Sequence, residues 1–200
     1  MNKKEIVREK IGRAAMQCFL KYGLDKTSLE DIARMVGLNK ATLYYYFKSK
    51  EDIFIEVAFT EAFKFIASLQ AKTLEIEGIE EQVKFYIVSR FNYYKEIVSI
   101  NRVSVNSMTK ILPKFYAFYD EMMREEKTFL STIIKNAETK QEIHKTDENK
   151  VAEVLINFSD ALKHGAEQQA VIRMLDTIDY AQSLIDIEYI ITLIFSGLKK

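Results

Sequence analysis

The chain has one cysteine, one proline, six glycines and no tryptophan in 200 residues. A single cysteine, Cys18, excludes an internal disulfide and any multi-thiolate metal site, and it suits a reducing compartment. With only Pro113 and six glycines as helix breakers, and with little strand-like alternation, the sequence predicts an all-α chain. Long apolar runs are missing too: residues 189–198, the longest uncharged one near the C-terminus, fall well short of the roughly 20 residues that span a bilayer. The start MNKKEIVREK is charged and no apolar stretch follows it, so it does not read as a secretory signal. A soluble, cytoplasmic protein with no membrane partner is therefore expected. There is no catalytic signature either: no glycine-rich phosphate loop, no HExxH and no nucleophile with a plausible partner. No enzyme activity and no cofactor are expected.

What is present is apolar mass and an uneven distribution of charge. Hydrophobic residues make up 48% of the chain, enough for one large domain or a small domain joined to a larger one. The net charge of zero hides an asymmetry. Residues 1–50 hold eleven Lys and Arg against five Asp and Glu, a net of +6, and the remaining 150 residues carry the compensating −6. A polyanion would find its site at the basic end.

Helix signals divide the chain. In residues 3–22, Val7, Ile11, Ala14, Cys18 and Tyr22 form an apolar stripe, widened by Ala15 and Phe19, and Gly23 ends it. Ser28 with Asp31 has the form of a capping box for a short second helix ending near Gly37. Asn39 is suited to cap a third, residues 40–46, and Ser49 with Asp52 a long fourth, residues 50–74. Further helices are predicted over residues 79–96, 97–108, 113–137, 147–169 and 181–198, with Pro113 at a helix start.

Two short helices around a tight glycine turn form a helix-turn-helix, whose second helix enters the DNA major groove. In "GLNKATLYYYFKSKED", residues 37–52, Leu43 and Phe47 share an inward face, so three successive tyrosines cannot all point inward with them. Aromatic runs in helices are more often core than recognition surface, and Tyr46 keeps that alternative open. Tyr44 and Tyr45 are expected outside with Lys40, Ala41 and Thr42. Lysine donates to guanine edges or phosphates, alanine and threonine contact thymine methyls, and tyrosine hydroxyls donate to phosphates. Lys48 and Lys50 add cations and free amides at the start of the fourth helix, where a phosphate can sit.

The segment "AAMQCFLKYGLDKTSLEDIARMVGLNKATLYYYFKSKEDIF" resembles the DNA-binding domain of the TetR family of bacterial transcriptional regulators. The resemblance rests on Phe19, Gly23, Thr27, Ile32-Ala33, Gly37, Leu43-Tyr44 and Tyr46-Phe47, followed by Lys48, Lys50 and Glu51. It implies a helix-turn-helix domain over residues 1–48, joined by a long helix to a helical ligand-binding and dimerisation domain over residues 49–200. It also implies a homodimer on a palindromic double-stranded DNA operator, with Lys40, Ala41, Thr42, Tyr44, Tyr45, Lys48 and Lys50 near DNA and Thr27 and Ser28 near the phosphates. A repressor is the expected direction of control.

Beyond the fourth helix the chain is dense in aromatics and methionine. For any one of these residues core packing is the stronger reading. The resemblance adds a ligand pocket, and Phe63, Phe85, Phe91, Tyr94, Phe115, Tyr119, Met122 and Phe129 are its candidate walls, favouring an apolar or aromatic small-molecule effector. Asp160, His164 and Glu167 share one helix face; a hydrogen-bonding stripe outweighs a metal site there. The last two helices are implied to form the dimer interface through Val154, Phe158, Leu162, Ile187, Ile191, Ile194 and Phe195. Two other readings stay open: a DNA-binding adaptor governed by a protein partner, and a helical small-molecule-binding protein or enzyme with an incidental helix-turn-helix.

Overall fold

A computed structural model describes residues 2–200, without the side chains of residues 115–119. Among the described residues there are eight helices: α1 (Lys3–Tyr22), α2 (Leu29–Val36), α3 (Lys40–Tyr46), α4 (Lys50–Thr73), α5 (Ile79–Ile100), α6 (Val105–Thr139), α7 (Glu148–Ile172) and α8 (Ala181–Leu198). Extended structure among them is limited to one isolated bridge between Ile143 and Lys199. The chain packs as two compact units. The first comprises residues 1–62 and 96–118, and the second residues 63–95 and 119–200.

The expected caps are in place. Ser28 and Asp31 form a reciprocal capping box on α2, and the Asn39 side chain accepts from the Thr42 amide at 2.7 Å at the start of α3. Ser49 accepts from the Asp52 amide at 3.1 Å, opening α4. Gly37 follows α2 at φ +75°, the left-handed conformation that a side chain disfavours.

Two expectations fail between residues 97 and 113. No separate helix covers residues 97–108: α5 runs on to Ile100, the chain turns at Arg102 with φ +47°, and α6 begins at Val105. The overlooked signal is Ser104, whose hydroxyl accepts from the Ser107 amide at 3.1 Å as an N-cap. Pro113 lies inside α6 rather than at its start. Its missing N–H forfeits the bond to the Thr109 carbonyl, yet the preceding turns bury Met108 and Ile111, and that burial holds the helix through the break.

The first unit is built on a core of Ile11, Ala15, Phe19, Leu24, Ile32, Leu43, Phe47 and Ile53. At Gly12 helices α1 and α4 approach so closely that a Cβ there would sit 2.6 Å from a Val57 methyl. The second unit buries Tyr86, Ile87, Phe91, Leu130, Ile134, Ile156, Ile187, Ile191 and Phe195. Helix α8 is long and apolar enough to cross a membrane by length and composition, longer than the uncharged run of residues 189–198 suggested. One face of it, Ile187, Ile191 and Phe195, is packed in the second unit's core.

The close approach at Gly12 gives a direct check. Gly12→Val is expected to destabilise the protein by about 1–3 kcal/mol through overpacking, read from the midpoint of denaturant unfolding, whereas Gly165→Ala, with open space at its Cβ position, should not.

Candidate nucleic-acid interface

A seven-residue helix is too short to persist alone, so α3 depends on what it buries. Leu43 is fully buried and Phe47, its cap, nearly so, and the adjoining helix α2 buries Ile32, Ala33 and Val36. Arg8 of α1 secures the far end: its guanidinium lies 4.3 Å over the Phe47 ring, donates to the Tyr46 carbonyl at 3.0 Å, and pairs with Glu56 of α4. The Glu56 carboxylate raises the Arg8 pKa against the opposing effect of partial burial.

With that face fixed inward, the others open outward. Tyr45 is 72% exposed and Tyr44 is exposed as well, while Tyr46 is half-buried with its ring edge-on to Tyr45 at 5.2 Å. Ala41, Lys40 and Lys48 are exposed and Thr42 is half-buried. Lys40 pairs with Glu30 of α2, and its ammonium lies 5.7 Å from the Tyr44 ring centre. Lys4 of α1 sits 5.6 Å over the Tyr45 ring. One surface therefore brings together Lys40, Ala41, Tyr44, Tyr45 and Lys48, with Lys4 as a neighbour that sequence spacing did not reveal.

Three of the expected DNA contacts are otherwise engaged. Thr27 is 3% exposed and its hydroxyl donates to the Gly23 carbonyl at 2.8 Å, so that side chain is not offered to a phosphate. Ser28 spends its hydroxyl on the Asp31 carboxylate and amide as the α2 cap. Lys50 directs its ammonium to the carbonyls of Leu24, Asp25 and Thr27. In each case a backbone group left over by a turn or helix start takes the polar atom.

A family model described as bacterial regulatory proteins, tetR family, matches residues 11–57, the segment that holds this surface. That segment is a TetR-family DNA-binding domain. The chain is 25% identical over 134 residues to the HTH-type transcriptional regulator QacR of Staphylococcus aureus, covering 60% of the chain and 70% of that protein. It is 32% identical over 76 residues to IcaR of Staphylococcus epidermidis, a negative transcriptional regulator of a biofilm operon; the match spans 36% of the chain and 41% of IcaR. In fold it is similar to a transcriptional regulator from Cytophaga hutchinsonii, with TM-score 0.74 at 22% identity over 96% of this chain and 98% of that one. A second similar structure is a TetR-family regulator from Mesorhizobium loti, with TM-score 0.64 at 18% identity over the whole of both chains. With a tetR-family DNA-binding segment and relatives named as transcriptional regulators, the protein is a DNA-binding transcriptional regulator.

The second unit sorts the remaining candidates. Phe91 and Tyr94 both meet Tyr180 edge-on, with ring centres 5.7 and 6.3 Å away. Phe129 lies 5.0 Å from Tyr86, and Met122 is buried. Phe63 is half-buried. Phe85 stands apart, half-buried in an outer groove with Ile76, Lys84, Val88 and Glu188. Phe115 and Tyr119 lie outside the described residues.

Sequence spacing also missed a buried charge network. Arg90 donates to Glu126 and, at 2.9 and 3.2 Å, to Asp160, which accepts from Lys163 at 3.0 Å. Tyr86 donates to Glu126 at 3.2 Å. Glu167 takes the hydroxyls of Tyr94 and Tyr180 and faces His164 Nδ1 at 2.8 Å. Asp160, His164 and Glu167 are thus engaged in hydrogen bonds within the second unit. Burial lifts the Glu126 pKa above the ordinary range, Arg90 notwithstanding, and burial beside Glu167 lifts those of Tyr94 and Tyr180.

The dimer candidates also divide. Ile187, Ile191 and Phe195 are buried inside the second unit and have no surface to give a partner, because the α8 stripe at four-residue spacing turns into the subunit's own core. Ile194, Phe158 and Leu162 are half-buried and Val154 is exposed. The outward stripe of α8 is Ile185, Tyr189 and Leu193.

Removing Arg90 would leave Glu126 and Asp160 buried without that shared cation. Arg90→Met is expected to cost about 3–5 kcal/mol of stability, measured by urea denaturation. Asn39→Ala, which removes the α3 cap, should cost about 1 kcal/mol in the same assay.

Proposed function

We propose that the chain is a ligand-responsive repressor that binds a palindromic operator as a homodimer and is released by an apolar or aromatic small molecule. The observation that carries this reading is the division of α3, with Leu43 and Phe47 held in the core while Tyr44 and Tyr45 stand exposed beside Lys40 and Lys48. On this reading residues 1–48 are the DNA-binding domain and residues 49–200 the ligand-binding and dimerisation domain. Lys40, Ala41 and Thr42 meet base edges, while Tyr44, Tyr45 and Lys48 meet the backbone. Ser28 lies near the phosphates through its backbone. The protein acts on DNA in the cytoplasm.

One short recognition helix makes few contacts, so two copies set about 34–36 Å apart are needed for selective binding. The exposed apolar stripe of Ile185, Tyr189 and Leu193, with Val154, Phe158, Leu162 and Ile194, supports the partner surface. For the effector, the aromatic rings of Phe91, Tyr94 and Phe129, with the Met122 thioether, support a flat or apolar ligand, and Phe63 belongs to the same unit. The effector releases the operator by its differential affinity for two arrangements of the recognition helices, transmitted along α4.

Anisotropy titration against palindromic duplexes from the DNA next to the gene, at two salt concentrations, tests the reading. Tyr44→Ala should weaken operator binding by about tenfold, comparable with loss of a charge-assisted hydrogen bond, and Lys48→Ala should reduce the salt slope by about 0.9 per subunit. Equal binding of a palindrome and a scrambled duplex by the wild-type protein would end it.

A further inference from the structure

The loop between α1 and α2, residues 23–28, has to turn the chain and start α2 without regular backbone pairing. Several of its polar groups are nonetheless paired. The Gly23 amide donates to the Phe19 carbonyl at 2.7 Å, and the Gly23 carbonyl accepts the Thr27 hydroxyl. The Leu24 amide donates to the Asn101 carbonyl at 2.9 Å, and the Asp25 carboxylate accepts the Ser107 hydroxyl. The carbonyls of Leu24, Asp25 and Thr27 converge on one atom, Lys50 Nζ, at 2.7, 2.8 and 2.9 Å.

An ammonium has three N–H donors, and here three carbonyls receive them. For Lys50 to neutralise a DNA phosphate, at least one of these bonds would have to break; the Leu24 carbonyl would keep the Thr27 amide at 3.4 Å, whereas the Thr27 carbonyl is partly buried, where losing a donor is costly. Thr27 immediately precedes Ser28, the cap of α2, so whatever fixes the Thr27 carbonyl fixes where α2 begins. α2 in turn supplies Ile32, Ala33 and Val36 to the core that holds α3.

We propose that Lys50 is a positioning residue for operator binding: its ammonium ties the carbonyls of Leu24, Asp25 and Thr27 to the first turn of α4 and sets the start of α2, and it does not neutralise a DNA phosphate. This rests on the operator-binding reading above and gives Lys50, which the resemblance places near DNA, a different role. The carbonyl cluster fits a compact tetrahedral ammonium, which a planar guanidinium of equal charge does not reproduce. A phosphate contact makes the opposite demand, since arginine serves there as well as lysine.

The charge-conserving variant therefore separates the two roles. Lys50→Arg and Lys50→Met are each expected to weaken operator binding by about tenfold to a hundredfold, with the slope of log affinity against log salt unchanged from wild type. If Lys50→Arg binds as the wild type does, or if Lys50→Met lowers the slope by about 0.9 per subunit, Lys50 is a phosphate contact and the proposal is overturned. Amide hydrogen exchange without DNA supplies an independent reading. In both variants the amides of Thr27, Asp31 and Ile32, which close the loop and the first turn of α2, should exchange faster than in wild type. Unchanged exchange there would overturn the positioning role. Because the exchange measurement uses no DNA, it decides the point even if the wild-type protein fails to select a palindrome, a result that would count against the operator reading alone.

Discussion

Burial of Leu43 and Phe47 is the constraint on which the recognition surface depends. A helix of seven residues gains too little from its own hydrogen bonds to persist, so α3 exists because those two side chains are held by α2 and by Arg8. Fixing two positions four residues apart fixes the rotation of the whole helix. The directions of Tyr44, Tyr45 and Ala41 follow from that rotation, and the chemistry of the surface follows from those directions.

The two units manage charge in different ways. In the first, the lysines on the α3 surface stay exposed, and the pairings they make, such as Lys40 with Glu30, are surface contacts of small energetic weight that DNA can displace. In the second, Arg90, Glu126, Asp160, Lys163 and Glu167 are withdrawn from water and answered by one another and by tyrosine hydroxyls. A buried network of this kind adds little net stability, but removal of one member is severe, because the remaining charges have no water to turn to. It gives the second unit a polar interior where composition alone suggests aromatic packing.

Several side chains that look like ligands in sequence prove to be parts of the scaffold. Thr27 closes the loop before α2, Ser28 caps that helix, and Lys50 gathers three loop carbonyls. The common cause is that short helices joined by tight turns leave many backbone groups unpaired, and nearby small hydroxyls and flexible ammonium groups meet them first. On α8 an analogous reassignment occurs among apolar residues: Ile187, Ile191 and Phe195 face the core, leaving Ile185, Tyr189 and Leu193 outside.

Local sequence determined the elements whose causes are local. The caps at Ser28, Asn39 and Ser49, the left-handed turn at Gly37 and the helical class follow from interactions within a few residues and were legible, and the four-residue spacing of Leu43 and Phe47 showed that the tyrosine run must divide. Tertiary structure decided what depends on distant partners. Pro113 continues inside α6 because neighbouring turns are buried, Arg90 finds Glu126 and Asp160 at separations of 36 and 70 residues, and Lys50 finds carbonyls more than twenty residues earlier. A periodic pattern states that a helix has an inward face, but which of several apolar or charged residues occupies it depends on the shape of what packs there, and one-dimensional spacing carries no record of that shape.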